Sequence, residues 1–281
     1  MAAGGARAGG GWDVTAARRD AGRHPGGRGP REAGPGWLFG RRAVAEALAA
    51  GRPLDKLFMT ARALDGGGRA LAAAARRAGV PVVSTDPRHL DALLPGIPHQ
   101  GVAAQVAARA YAALDDTLAR ARAAGEPPLL VALDGVQDPQ NLGAVIRCAE
   151  AAGAHGLVIP QRRAAGLSAA VARASAGAVE HLPVARVVNL DRALAELQAG
   201  GLWVVGADQG SATPYLDADL TMPLVLVLGS EGAGLSRLVG ERCDLRLSIP
   251  MSGRVASLNV SAAAAVLLYE VRRQRAKAGV S

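Results

Sequence analysis

From Gly40 onward, apolar and polar positions follow two alternating rhythms, one with a helical period and one consisting of short unbroken apolar runs. The spacing predicts a helix through Arg41 to Ala50, a strand near Leu54 to Thr60, a helix from Arg69 to Ala78 and a strand at Val80 to Ser84. Asp86 followed by Pro87 reads as an N-cap and first helical residue, opening a short helix that Pro95 and Gly96 stop. A strand at Gly101 to Ala107 completes a small α/β unit over 36–108. An Ala/Arg/Asp helical stretch at 111–124, ended by Gly125 and the pair Pro127, Pro128, reads as part of a linker over 109–127.

The rhythm is stronger over 128–281. Apolar runs at Leu129 to Leu133, Gly156 to Ile159, Leu182 to Val187, Leu202 to Gly206, Leu224 to Leu228 and Leu245 to Ile249 alternate with helices near 140–152, 168–176, 190–199, 235–242 and 258–274. Runs of this kind predict an α/β fold with a mostly parallel sheet covered on both faces. Such sheets bind ligands in loops beyond the carboxyl ends of their strands, and those loops are where candidate chemistry is sought.

Composition narrows the classes. Half of the 281 residues are apolar but only 3% are aromatic, so the cores are built from Ala, Val and Leu. The formal net charge is +8, and Lys56 and Lys277 are the only lysines among 32 basic residues. An Arg-rich basic chain suits a polyanionic partner, although a general enrichment in Arg explains part of the excess. Residues 1–35 contain ten glycines, three prolines and six arginines. They read as a disordered basic arm, either a spent leader or a loose RNA tether. Cys148 and Cys243 stand alone, and neither CxxC nor HExxH occurs, so neither a disulfide framework nor a metal centre is expected. No apolar run is long enough for a membrane span and residues 1–35 lack a signal-peptide core, which points to a cytoplasmic protein.

Three strand-end segments carry the candidate residues. The first, Leu133 to Gly153, contains no GxGxxG, and neither lysine has the glycine before it that a P-loop requires. Asp138 and Pro139 can cap and open a helix; Asn141 then falls in its first turn and Arg147 on another face, where a surface pair with Glu150 is the plain alternative. The second, Gly229 to Ser236, has glycines at 229, 232 and 234 that let backbone amides approach a ligand, with Glu231 among them. A carboxylate there suits hydroxyls, amines or a positive centre better than phosphate; a simple glycine turn is the alternative. In the third, Ser248 to Glu270, Ser257 is placed as the N-cap and Asn259 in the first turn of a small-residue helix.

Taken together, N-x-G-x-x-x-R at Asn141, Gly143 and Arg147, L-G-x-E-G-x-G-L over Leu228 to Leu235, and I-P-M-x-G-x-V-x-S-L-N-V over Ile249 to Val260 resemble the SpoU, or TrmH-like, branch of the SPOUT RNA methyltransferases. The likeness covers 127–274. GRRAVAEAL at 40–48 and HQGVAAQV at 99–106 are similar to the L30e-like substrate-binding domain that precedes the catalytic domain in bacterial 23S rRNA guanosine 2'-O-methyltransferases. The resemblance implies a homodimer with a trefoil-knotted C-terminal domain that holds S-adenosylmethionine in the knot loops. It places cofactor contacts at Gly206, Ala207, Gly229, Ile249, Met251, Ser257 and Leu258, and a catalytic set at Asn141, Arg147, Glu231, Ser257 and Asn259. Tyr269 and the helix around it would lie near the dimer contact.

The expected reaction is methylation of an RNA ribose 2'-hydroxyl, with 23S rRNA guanosine favoured and tRNA or a resistance-conferring rRNA methylase as the nearer alternatives. Arg147 is expected to stabilise the nascent alkoxide rather than act as a base, since a guanidinium stays protonated. Asn141 would position Arg147 or the ribose, and Glu231, Ser257 and Asn259 would shape the pocket. Arg162, Arg163 and Arg173, with basic residues of the front domain, are candidates for holding the RNA backbone. The rival classes are a non-catalytic RNA-binding protein of the same fold and a small-molecule nucleotide enzyme using the 229–234 loop.

Overall fold

A computed structural model describes residues 36–280 of the chain, so the basic arm expected at 1–35 lies outside the described residues. The front unit runs β1 (Trp37–Phe39), α1 (Arg41–Ala49), β2 (Leu54–Thr60), α2 (Ala61–Ala63), a π-helical turn (Leu64–Gly68), α3 (Arg69–Arg77), β3 (Val82–Thr85), α4 (Pro87–Leu93) and β4 (Val102–Val106). Its sheet has the order β1-β4-β2-β3, with β2 and β3 parallel and β4 antiparallel to both β1 and β2. The edge strand β1 has no counterpart among the predicted elements, because three residues are too few to show a period. Asp86 caps α4 by accepting from the Arg88 amide at 2.8 Å, with Pro87 in the first turn. Small and aliphatic side chains, among them Val44, Ala47, Leu57, Met59, Ala72 and Ala75, fill the space between this sheet and α1 and α3.

Helix α5 (Leu114–Ala124) packs on the second unit, against strands β6 and β7 described below, and ends at Gly125 in the left-handed conformation. The second unit continues β5 (Leu129–Asp134), α6 (Pro139–Ala151), β6 (Gly156–Pro160), α7 (Ala169–Ala174), β7 (Val184–Val187), α8 (Leu190–Ala199), β8 (Trp203–Ala207), β9 (Leu224–Gly229), α9 (Arg237–Arg242), β10 (Leu245–Leu247) and α10 (Val260–Ala278). All six strands are parallel, in the order β10-β8-β9-β5-β6-β7. The alternation of a strand sorts its side chains to two faces, and here both faces are dry. Leu129, Val131 and Leu133 of β5 join Ile146 of α6 and Leu267 and Leu268 of α10 in one cluster, whereas Leu130 and Ala132 join Leu190, Leu194 and Leu197 of α8 in another.

Strand β9 is inserted between β5 and β8, so the chain visits the far side of the sheet at β8 before returning to its centre. The segment that follows β10 passes the ends of β8 and β9: the Ser248 amide donates to the Thr213 carbonyl at 2.9 Å, and Gln209 Nε2 to the Ile249 carbonyl at 2.8 Å. Helix α10 then packs on α6 with Val260, Ala264, Leu267, Leu268 and Val271 buried, the 4, 3, 1, 3 spacing of one helical face. Its far end is fixed by Arg275, 3% exposed, whose guanidinium donates to the carbonyls of Pro127, Pro128 and Met222 just before β5 and β9 begin. Burial pushes that guanidinium down to about 10.

Candidate functional site

The carboxyl ends of parallel strands β8, β9 and β10 all point one way, and the loops that leave them surround a cavity of about 300 Å³. Ala207, Asp208 and Gln209 enter from the end of β8, Leu228 to Gly234 from β9, Leu247 and Ile249 from β10, and Ser257, Leu258, Val260 and Ala263 from the approach to α10. The wall is therefore half aliphatic and half polar. Leu228, Leu247, Ile249, Leu258 and Val260 offer a surface for a flat apolar ring system, and Asp208, Gln209, Glu231 and Ser257 offer polar atoms at its edges.

The glycine loop is shaped by contact with itself. A Cβ on Gly229 would fall 2.2 Å from the Gly234 carbonyl carbon, so only glycine lets the two ends of the loop meet. Ser230 and Gly234 exchange backbone hydrogen bonds at 3.1 and 2.9 Å, and Gly232 and Gly234 take the positive φ values that close the turn. Asp134, at the end of β5, fixes the far side by accepting from the Ser236 amide at 2.7 Å. The loop thus stands rigidly at the cavity mouth with Glu231 exposed on it.

Three predicted residues from separate segments meet there. Asn141, in the first turn of α6, donates through Nδ2 to Glu231 Oε1 at 3.2 Å. Asn259 Nδ2 donates to Asn141 Oδ1 at 2.9 Å and also to Glu231 Oε1. The Asn259 side-chain oxygen is turned the other way and accepts from the Ser261 amide at 2.9 Å and the Ser261 hydroxyl at 2.6 Å. Asn259 is therefore the N-cap of α10, which begins at Val260. This corrects the expectation that Ser257 caps this helix and that Asn259 lies in its first turn: the Asn amide reaches the Ser261 N–H, and the cap moves two residues along. Ser257, exposed and released from capping, lines the cavity.

Of the other predicted cofactor contacts, Ala207, Gly229, Ile249 and Leu258 line the cavity. Ile249 does so from two residues beyond β10, shorter than the strand expected there. Gly206 lies beneath the wall, packed against Cys243 and Leu235, and Met251 is half-buried off the wall. Arg147 is exposed on α6 and also stands off the wall; the surface pair with Glu150 does not form, and Asn141 turns to Glu231 and Asn259 instead of to Arg147. Arg162, Arg163 and Arg173 are exposed on the neighbouring loop and on α7.

Asp208 and Gln209 are wall residues that sequence reasoning passed over. Their signal was position alone, directly after the apolar run Leu202 to Gly206. Asp208 pairs with Arg246 at 3.2 Å and Gln209 ties the β8 end to Ile249. No group of three or more His, Cys, Asp or Glu side chains that could hold a metal ion occurs among the described residues, and no described helix is long and apolar enough to cross a membrane.

The sequence matches the SpoU rRNA Methylase family over residues 128–269 and, over 37–112, the family described as RNA 2'-O ribose methyltransferase substrate binding. A protein of Bacillus subtilis described as a TrmH family tRNA/rRNA methyltransferase is 46% identical over 243 residues, 86% of this chain and 97% of that one. A TrmH family relative from Staphylococcus saprophyticus is 41% identical over 238 residues, 85% of this chain and 95% of its own. Among solved structures, the SpoU methyltransferase AviRb of Streptomyces viridochromogenes in complex with AdoMet is 31% identical, with a TM-score of 0.55 over 86% of this chain and 90% of that one. An AdoMet-bound rRNA methyltransferase from Sinorhizobium meliloti is 29% identical, with a TM-score of 0.54 over 85% of this chain and 87% of that one. With both units matched in order and Asn141, Glu231 and Asn259 of the three motifs meeting at one strand-end cavity, the chain belongs to the SpoU/TrmH family of S-adenosylmethionine-dependent RNA methyltransferases.

Proposed function

We propose that this enzyme methylates the 2'-hydroxyl of a ribose in 23S rRNA, at a guanosine, and works as a cytoplasmic homodimer. One observation carries the reading most: Asn141, Glu231 and Asn259, from three motifs spread over 119 residues of sequence, form one hydrogen-bonded cluster at the mouth of a cavity of suitable size and polarity. The front unit's match to a ribose methyltransferase substrate-binding family supports the 2'-hydroxyl, and the SpoU rRNA Methylase match supports rRNA.

The cavity fits the donor. Bound S-adenosylmethionine supplies a methyl group made electrophilic by its sulfonium. The aliphatic wall from Leu228, Leu247, Ile249, Leu258 and Val260 suits the adenine, and the closely folded Gly229–Gly234 loop leaves backbone amides free of side-chain obstruction. Glu231, exposed and held by two asparagines, gives the cavity edge a negative charge suited to a cationic donor, while the charge of Asp208 is met by Arg246. Asn141 and Asn259 hold the Glu231 carboxylate in place, so that its orientation is fixed before RNA arrives.

Arg147 takes the electrostatic role: it grips the phosphate beside the target and stabilises the oxyanion as the ribose hydroxyl gives its proton to solvent water. It stands off the cavity of its own chain, on a helix that packs against α10, where Tyr269 is 53% exposed. Pairing two copies along this side covers Tyr269 and completes the site. Mapping ribose methylation in rRNA and tRNA from cells with and without the gene tests the assignment. The expected result is one lost mark at a 23S guanosine; a lost tRNA mark moves the substrate, and no lost mark ends the proposal.

A further inference from the structure

The two units are joined by a second cluster, and at its centre is a buried acid. Asp55, the second residue of β2, is 1% exposed at the end of the front sheet that faces the catalytic unit. Its Oδ1 accepts from the Tyr111 hydroxyl at 2.5 Å, and the same hydroxyl accepts from the Leu167 amide at 2.9 Å. Arg186, on β7 of the catalytic sheet, lies 3.9 Å over the Tyr111 ring and donates to the carbonyls of Asp55 at 2.9 Å, Leu54 at 3.2 Å and Gly79 at 3.0 Å. Lys56 Nζ reaches the Ala164 carbonyl at 3.3 Å. A Cβ on Gly166 would fall 2.6 Å from the Asp55 carboxyl, so the loop 161–168 closes directly over the acid.

This arrangement is expensive as plain glue. The second carboxylate oxygen of Asp55 has no hydrogen-bond partner, and burial holds the acid above the usual carboxylate range despite Tyr111 and the nearby positive charges. An apolar contact of equal size would hold two domains together without that cost. What directional bonds add is a single register. The loop they fix carries the exposed Arg162 and Arg163, and its Ala165 amide donates at 2.9 Å to the carbonyl of Val136, in the turn that leads into α6 and Asn141.

We propose that Asp55, Tyr111 and Arg186 are positioning residues for the RNA: they clamp the front domain and the Arg162–Arg163 loop in one register, so that the distance from the front domain to the methyl-donor cavity is fixed. The clamp rests on the function proposed above in one respect, that a single RNA spans both units. A fixed spacing presents both halves to the RNA at high effective concentration, whereas a loosened joint weakens RNA engagement without touching the donor cavity.

The test uses the full-length protein and its Tyr111→Phe variant, which loses the hydroxyl that serves both Asp55 and Leu167. Amide hydrogen exchange, KM and kcat with a full-length 23S rRNA transcript, RNA affinity and S-adenosylmethionine affinity are compared. Expected are faster exchange at Leu167 and at Ala108, whose amide donates to the Leu167 carbonyl across the joint, a rise of about tenfold in KM and in the RNA Kd, and a kcat and cofactor Kd within about twofold. Asp55→Asn, which keeps an oxygen for Tyr111, should stay near the parent in KM, and Asp55→Ala should follow Tyr111→Phe. If Tyr111→Phe does not fold, Lys56→Ala, which removes the outer bond to Ala164 and one positive charge near Asp55, gives the same pattern in weaker form. Unchanged exchange overturns the clamp, and faster exchange with unchanged KM and RNA affinity overturns its positioning role. A parent protein that binds the transcript but methylates none of it ends the proposed function alone; the clamp is then decided by exchange and RNA affinity, where unchanged values overturn it.

Discussion

Two polar clusters in this chain are each assembled from distant segments, and water separates their uses. In the first, Glu231 and Asn259 are exposed and Asn141 is half-buried; they lean on one another at the mouth of a cavity and keep open faces toward it. In the second, Asp55 is sealed beneath Gly166 and turned entirely toward protein. A hydrogen-bonded group that still faces solvent can exchange water for ligand at little cost, whereas a sealed one has already lost its water and is committed to its neighbours. On the readings proposed above, chemistry belongs to the first cluster and registration to the second.

Changes at the donor side should be felt in turnover and cofactor binding, and the largest is expected at Arg147, the residue proposed to handle charge. Arg147→Lys should lower kcat by about 100-fold or more with cofactor affinity retained, because a point charge cannot reproduce the guanidinium fork. Near-normal turnover in single-turnover assays would remove Arg147 from the reaction. Gly229→Ala acts on the container rather than on the chemistry. The added carbon meets the Gly234 backbone, so cofactor Kd measured by calorimetry should rise at least about tenfold, with about 1–3 kcal/mol of stability lost to overpacking. An unchanged Kd would show that the loop is not part of the donor site.

The smallest effect is expected at the sealed cluster, and its sign follows from linkage. The folded-state pKa of Asp55 is raised, so between the ordinary carboxylate value and that raised one the folded protein binds more protons than the unfolded chain. Stability therefore falls as pH rises through this window. Tyr111, Arg186 and Lys56 face the acid, and burial holds the Tyr111 hydroxyl above its ordinary value. Asp55→Asn should melt above the parent at pH 8, with the advantage shrinking steadily toward pH 4. A difference that stays constant with pH would mean that the acid is not held uncomfortably in its charged form.

Much of the frame was legible in the residues themselves. The apolar runs from Leu129 to Leu247 gave the parallel sheet, Asp86–Pro87 and Asp138–Pro139 marked two helix starts, and three ordered motifs pointed to one reaction. Local rules suffice where a signal lies within one turn or one strand. They reached their limit at the Ser257 cap, because Ser257 and Asn259 are both good caps and the choice depends on which one meets the Ser261 amide.

Sequence by itself thus determined the order of the longer elements and the identity of the motif residues, all properties of neighbours along the chain. Tertiary structure alone decided that β9 lies between β5 and β8, that Glu231 is held by two asparagines, that Arg275 is buried among three carbonyls, and that Asp55 is buried at the joint. These depend on groups up to 148 positions apart along the chain. No local period encodes such meetings, because they form only when the packing of both sheets brings the strand ends together.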